Sequence, residues 1–520
     1  MGTEAIGDRH RRSVSGLHDS TGARSLSVRI VGRGFLMTPS GQHLICCLVN
    51  LLCRMVDTVD RIELDIPDVQ LTVPIPVPQH PGDLHGSLIA LSEWAVGDAV
   101  SITEAETAPD LVISLGGGDE AYGEAEHIYA VSDGWYAWVG TKGNYPGAFA
   151  LSVDRNPLGA FLAASLVAGE VFKRSRGLIR GKWITDLGYC LWENKPLPYS
   201  ARLQGPTLDN ASLPPFYIIG AGAVGQGLHY LLGAALIRDS YVVTIDDDRH
   251  DETNLNRCFL AGRSDIDHPK VEAITRFRKA YDLDGLEFDG SLADYITSNI
   301  PDLRSDLKRL EADDRMDYVV SCVDKGTSRQ DVQGLWPRLI FGGSTLGLTA
   351  MASIYDLGEG TPCLGCHNPP EKDGDTLRKV EQLVRAMQPD ELRRYLAHSK
   401  DATEIENYIL AGEKCGSLGA AQFRAFATEV SKEFSVSFVS MAAAVLLASR
   451  LLSRLIDRSQ ESLPLPPMTS VAFLNGTLEN QKLSIDPQCS KCHGDPISAF
   501  RKNVAALRDV VESTAPNNLR

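Results

Sequence analysis

Basic charge is what this chain is short of. Its 520 residues carry 51 lysines and arginines against 67 acids, a formal net charge of −16. A phosphate backbone needs a basic surface, so nucleic acid is excluded as the main ligand. Long apolar runs are scarce as well. The most membrane-like run, Val436 to Ser449, falls short of the roughly 20 residues of a spanning helix, and Arg450 and Arg454 follow at once. It reads as a buried core helix, and no membrane partner is expected. Met1 to Arg24 is polar, with Arg9, Arg11 and Arg12, and lacks the apolar core of an export signal. Residues 1–25 read as a disordered arm, and the expected location is the cytoplasm. The eleven cysteines are an odd number in a long chain without that signal, so a disulfide framework is not expected. Apolar residues, at 43%, suffice for large cores, and the length suggests several domains.

What is there concentrates between Tyr217 and Lys270. An apolar strand (Tyr217, Ile218, Ile219) runs into Gly220, Gly222 and Gly225 and then into a helical pattern. The first glycine permits a tight turn. The second lets a phosphate approach the backbone. The third lets helix and strand pack closely, with the helix N-terminus facing the anion. The next strand, Tyr241 to Ile245, ends in Asp246, Asp247 and Asp248. Asp246 would hold ribose hydroxyls, which fits ATP and NAD alike. Asn254, Arg257 and Lys270 separate the two. A nucleotide that is cleaved needs cations that follow charge onto the leaving phosphate, and hydride transfer does not. Asp248 and Asp324 are candidate carboxylates for Mg2+, a hard ion that takes oxygen ligands.

Four cysteines form two CxxC pairs, Cys363 with Cys366 and Cys489 with Cys492. Each pair offers two thiolates from one tight turn, and two turns complete a tetrahedron around Zn2+. So wide a separation fits a clip that ties an insertion and the C-terminus onto one domain. A redox dithiol is the rival reading. Cys415 lies in a glycine-rich loop beside Lys414, which suits an accessible thiol and a thioester. Cys46, Cys47, Cys53, Cys190, Cys258 and Cys322 read as small buried hydrophobes.

The same layout occurs twice. In the N-terminal half Val31-Gly-Arg-Gly34 precedes a helix-like segment, Gln42 to Val56, and a strand ending in Asp65. Asp110 to Gly117 then lies where Asp317 to Asp324 lies in the second half, with Gly117 in place of Asp324. Met37 and Thr38 stand where the turn needs its last glycine. Apolar helices, Leu158 to Phe172 and Val436 to Leu455, close the two halves. The expected fold is α/β, with two Rossmann-like adenylation folds in tandem, the N-terminal one degenerate and the C-terminal one active. A zinc clip and a helical insertion bearing the catalytic cysteine complete it. The expected boundaries are 26–200 for the degenerate copy, 201–215 for a linker, and 216–495 for the active domain with its insertion at 367–420. Residues 496–520 form a tail. Two unrelated α/β domains can share such patterns too.

Gly220 to Gly225, Asp246 to Asp248, Asn254 to Arg257, Lys270, Asp324 to Arg329 and the two CxxC pairs, in that order, resemble the ubiquitin-activating superfamily. That group includes the ThiF and MoeB type adenylyltransferases. The resemblance implies a mechanism: the C-terminal carboxylate of a ubiquitin-like protein attacks the α-phosphate of Mg-ATP, and a cysteine takes the acyl group as a thioester. It implies ribose binding for Asp246, phosphate binding for Asn254, Arg257 and Lys270, metal and nucleotide binding for Asp324, and the thioester on Cys415. A degenerate copy fused in front is similar to the BilD-type enzymes of bacterial antiphage operons, which act with a separate conjugating enzyme. It also allows a homodimer. Cys258 and Lys325 depart from the family pattern, where glutamine and asparagine are common. An arginine lent by the inactive half has only candidates, Arg155 and the N-terminal arm. The competing readings are a sulfur-carrier adenylyltransferase, a NAD-dependent oxidoreductase and a non-catalytic scaffold.

Overall fold

A computed structural model of the chain describes residue 6 and residues 24–492. Left out of that span are 78, 105–107, 118–124, 147–153, 179–182, 202–204, 298–317, 357–360, 370–380, 382–383, 386–388, 397–400, 412–421, 424–434, 457–465 and 490. Cys415 and the segments 1–5, 7–23 and 493–520 lie outside the described residues.

Two mixed sheets of eight strands each organise the larger of two compact units, Met1–Asp324 with Ser328–Pro369 and Ser435–Arg520. The first sheet comprises β1 (Leu26–Gly32), β2 (Val59–Asp65), β3 (Ser101–Glu104), β4 (Leu111–Leu115), β5 (Glu126–Asp133), β6 (Tyr136–Gly140), β7 (Asp186–Cys190) and β8 (Lys195–Pro196). Its order is β3-β2-β1-β4-β5-β6-β7-β8. The second comprises β9 (Phe216–Ile219), β10 (Val242–Asp246), β11 (Gly285–Asp289), β12 (Tyr318–Ser321), β13 (Leu339–Leu346), β14 (Thr349–Asp356), β15 (Met468–Ala472) and β16 (Thr477–Gln481). Its order, β11-β10-β9-β12-β13-β14-β15-β16, repeats the first. In each sheet the first five strands in that order are parallel and the last three are antiparallel. Parallel strands covered on both faces read as near-continuous apolar runs, and every residue of β1 and β9 is buried accordingly.

Helices cover the sheets: α1 (Pro39–Cys53), α2 (Leu84–Val96), α3 (Leu158–Arg176), α4 (Ala223–Ala234), α5 (Lys270–Ala280) and α6 (Ser437–Leu455). The sequence expectation for α1 was three residues late at each end. Thr38 accepts a hydrogen bond from the Gly41 amide and Pro39 opens the helix, a favoured start. Helix α6 packs on both α3 and α4. Phe172 meets Phe438 at 5.5 Å and Phe161 meets Tyr230 at 4.8 Å, so the two halves share one apolar interior.

Helix α6 matches the expected Val436 to Leu455 to within one residue. It runs 19 residues, past the apolar run into Arg450, and by length and composition it could span a membrane. Of its most apolar window 89% is buried inside the protein, so it is a core helix here. Arg450 is buried and donates to the Pro466 carbonyl and the Thr469 hydroxyl. The proline-rich segment between the halves is also packed: Leu208 and Leu213 are buried, and the Trp135 indole donates to the Pro206 carbonyl.

The smaller unit comprises Lys325–Thr327 and Pro370–Phe434. Its described part contains helices Pro389–Leu396 and Ala402–Ala411 around Val384, Leu392, Ile405, Tyr408 and Phe423.

Candidate nucleotide site and cysteine cluster

In the order of the second sheet, chain direction reverses its progress between β9 and β12. That is where open α/β sheets bind ligands, beyond the carboxyl ends of the strands. Gly220 leaves β9 with φ of 104°, a backbone that side chains avoid. Gly222 is the N-cap of α4. A Cβ on Gly225 would stand 2.1 Å from the Gly220 carbonyl oxygen, whereas one on Gly222 would meet nothing within 4 Å. Two glycines are therefore needed to build the turn, and the third keeps space open in front of a helix N-terminus. That is the place for an anion.

Asp246 ends β10 and braces the turn. One carboxylate oxygen accepts from the Ala221 amide at 2.5 Å, the other from the Asp248 amide at 2.8 Å. Burial raises its pKa above the ordinary carboxylate range, against the opposing pull of Lys270 and these amides. Lys270 opens α5 and places its ammonium 2.6 Å from Asp248, with its own amide bonded to the Asp248 carbonyl. Burial alone would depress Lys270, but Asp246 and Asp248 outweigh it and hold the ammonium above its usual pKa.

Asn254 sits on the 3-10 turn Glu252–Asn256 and is tied to Asp251 through its amide and its side chain. The Arg257 guanidinium is directed by the Thr253 carbonyl and Asn256, both at 2.8 Å. Arg257, Lys270 and Arg54 all act electrostatically on the buried Cys258 thiol, although burial dominates and raises it. Two of these cations, Arg257 and Lys270, are among those expected from the sequence. Asp324 is exposed, three residues beyond β12. Cys322, beside the glycine turn, is only partly buried, unlike the other cysteines expected to be buried, and desolvation pushes its thiol up to about 12.

Sequence reasoning missed three contributors. Gln226 on α4 links the Ala221 carbonyl, His250 and the Leu260 amide. Arg54 and Asn50 reach this region from the first sheet's helix α1. Their signal was legible: two polar residues four apart, one helical turn, in an otherwise apolar stretch.

The corresponding corner of the first sheet is filled. β1 leads through Arg33 into a 3-10 turn, Gly34–Met37. Arg33 grips Asp65 with two bonds, 2.9 and 3.1 Å. Phe35 lies against Gly116, where a Cβ would come within 2.2 Å of it, and the Tyr145 hydroxyl donates to the Gly116 carbonyl at 2.6 Å.

The four expected zinc ligands converge. The sulfurs of Cys363, Cys366, Cys489 and Cys492 lie within 4.8 Å of one another, and all four residues are buried. Cys363 stands 3.8 Å from Cys366 and 3.7 Å from Cys489, and Cys366 stands closer to Cys492, at 3.1 Å. Four sulfurs about 2.3 Å from one zinc ion would be roughly 3.8 Å apart. The donor set therefore fits a closed structural site. This is the cluster of three or more potential ligands found among the described residues.

Residues 212–491 match the model of the ThiF family, more than half of the chain. The chain belongs to the ThiF family, whose adenylyltransferases use ATP. Residues 27–181 match the BilD N-terminal domain. No curated protein matches the chain. Among solved structures, the crystal structure of MccB from E. coli with succinimide is similar, at 16% identity over 70% of this chain and 97% of that chain, with a TM-score of 0.35.

Proposed function

We propose that the chain activates the C-terminus of a ubiquitin-like protein with ATP and passes it to a conjugating enzyme, in bacterial antiphage defence. The C-terminal half is the active adenylation fold, and the N-terminal half is a degenerate copy. Asp246 binds the ribose. Asn254, Arg257 and Lys270 bind the phosphates over the glycine turn. Asp248 and Asp324 would hold Mg2+, which offsets phosphate charge when bound. A carboxylate oxygen of the ubiquitin-like protein attacks the α-phosphorus. The bond to the bridging oxygen breaks and pyrophosphate leaves, its growing charge met by Arg257 and Lys270. The Cys415 thiolate then attacks the acyl carbon of the adenylate and AMP departs. A thiol of the conjugating enzyme takes the acyl group in turn.

One observation carries this reading: a brace of Asp246, Asp248 and Lys270 beneath an open glycine turn, inside the ThiF-matched half and behind a BilD N-terminal domain. A NAD-dependent enzyme would leave Arg257 and Lys270 without a task. The test is ATP–pyrophosphate exchange with a ubiquitin-like protein encoded beside this chain. Lys270→Ala should lose exchange. Cys415→Ala should keep exchange and lose a thioester that thiols cleave. Wild-type exchange in Lys270→Ala would refute the assignment.

A further inference from the structure

Arg54 follows α1 in the N-terminal half, and its side chain is fully buried. Among the described residues no carboxylate bonds its guanidinium. Carbonyls surround it instead. Nη1 donates to Leu255 at 2.7 Å, and Nη2 donates to Ala261 at 2.9 Å and approaches Phe259 at 3.4 Å. Nε donates to the Asn50 side-chain oxygen at 2.8 Å, and the Asn50 amide faces the same Phe259 carbonyl at 3.4 Å. The Trp94 ring lies 5.9 Å away. A buried cation is costly unless its surroundings supply partners. Here the partners are the Asn50 side chain and main-chain carbonyls of one stretch, residues 255–261, with the Asp265 carboxylate acting on the cation without a hydrogen bond to it.

That stretch is a 3-10 turn followed by irregular backbone; local turns take the Asn254 and Cys258 carbonyls, and the Leu255, Phe259 and Ala261 carbonyls face Arg54 instead of a helix or sheet ladder. It carries Arg257 and directly follows Asn254. The Leu255 carbonyl lies between these two residues, and the Phe259 and Ala261 carbonyls lie beyond them. One rigid fork therefore fastens the backbone on both sides of Arg257. Lysine could not do so, because a single ammonium lacks the planar spread of donors. Two further contacts hold the same join: the Arg263 side chain donates to the Val96 carbonyl at 2.9 Å, and the Trp94 carbonyl abuts Gly262.

We infer that Arg54 is a positioning residue for phosphate binding: from the N-terminal half it fixes the backbone that presents Asn254 and Arg257, without reaching the nucleotide itself. The inference rests on the phosphate roles proposed above for those two residues. It gives the half with the filled corner a task in the site of the other half.

The experiment is calorimetric titration of the full chain with Mg-ATP and, separately, with adenosine. Arg54→Lys should weaken Mg-ATP roughly tenfold or more, since displaced catalytic or binding groups lose much of their effect. Adenosine, which does not use residues 254–257, should bind as in the wild type. A merely structural role would weaken both ligands alike. In a double-variant cycle, Arg54→Lys with Arg257→Ala should lose little more than Arg257→Ala alone. Unchanged Mg-ATP affinity, equal weakening of both ligands, or fully multiplying effects would overturn the inference while the proposed function stands. If Arg54→Lys does not fold, Asn50→Ala, which keeps the cation but frees its Nε, is read by the same criteria. Wild-type protein that binds no Mg-ATP overturns the proposed function and this inference with it.

Discussion

Substituting Gly222 with alanine separates binding from folding. The residue has φ of −71° and ψ of −163°, an extended backbone open to any side chain. An added Cβ meets no atom within 4 Å, so unfolding free energy should stay within about 0.5 kcal/mol of wild type. The same methyl group stands where a phosphate would come up to the amides of α4. Hydrogen bonds to a charged group contribute about 1.5–3 kcal/mol. Losing one such contact weakens binding roughly 10- to 100-fold. Isothermal titration with Mg-ATP reads the first quantity, and thermal unfolding without nucleotide reads the second. Gly225→Ala is the contrasting perturbation. Its Cβ would lie 2.1 Å from the Gly220 carbonyl oxygen, so turn and helix must part. Overpacking of this kind costs about 1–3 kcal/mol of stability, and binding should fall with it. A Gly222→Ala protein that melts and binds Mg-ATP like the wild type would refute the anion site.

Two other measurements bear on the structure. Purified protein should hold one zinc ion per chain, released by a chelator together with a fall in melting temperature, and Cys489→Ser should lower the metal content; protein purified without zinc in metal-free medium that melts unchanged on adding it would sink the clip. Burial lowers His43 to about 3 and His229 and His250 to about 4. Their unfolded value is near 6.5, so the unfolded chain binds more protons between the two. Their contribution to stability is thus complete above about pH 6.5 and is lost as pH falls toward 4 for His229 and His250 and toward 3 for His43, on the order of a few kcal/mol each. A melting temperature that does not fall between pH 7 and 5 would contradict this.

Much of the candidate site could be read directly because its signals are local. A strand, three glycines and a helix specify a turn, since only glycine takes φ of 104° at Gly220 and only glycine lets α4 approach it at Gly225. The acid after β10 and the lysine opening α5 lie at fixed places in such units. Their pairing was not legible: the sequence reading gave Asp248 to a metal and Lys270 to phosphate, and the structure joins them at 2.6 Å. The extent of α6 was legible to within one residue, but not how its arginine is accommodated: the fold buries Arg450 by giving it a carbonyl and a hydroxyl.

The sequence by itself determined the turn, the strand-end acids, the thiol pairs and the two runs of like order, because each follows from backbone conformation or from residues within one helical turn of each other. Tertiary structure alone decided what meets across distance. It brought Cys363 to Cys489, 126 residues on. It filled the first corner with Arg33, Phe35 and Tyr145. It set Arg54 among the carbonyls of residues some 200 positions later. Such contacts are chosen by packing and by the need of buried polar groups for partners, and neither leaves a spacing in the chain.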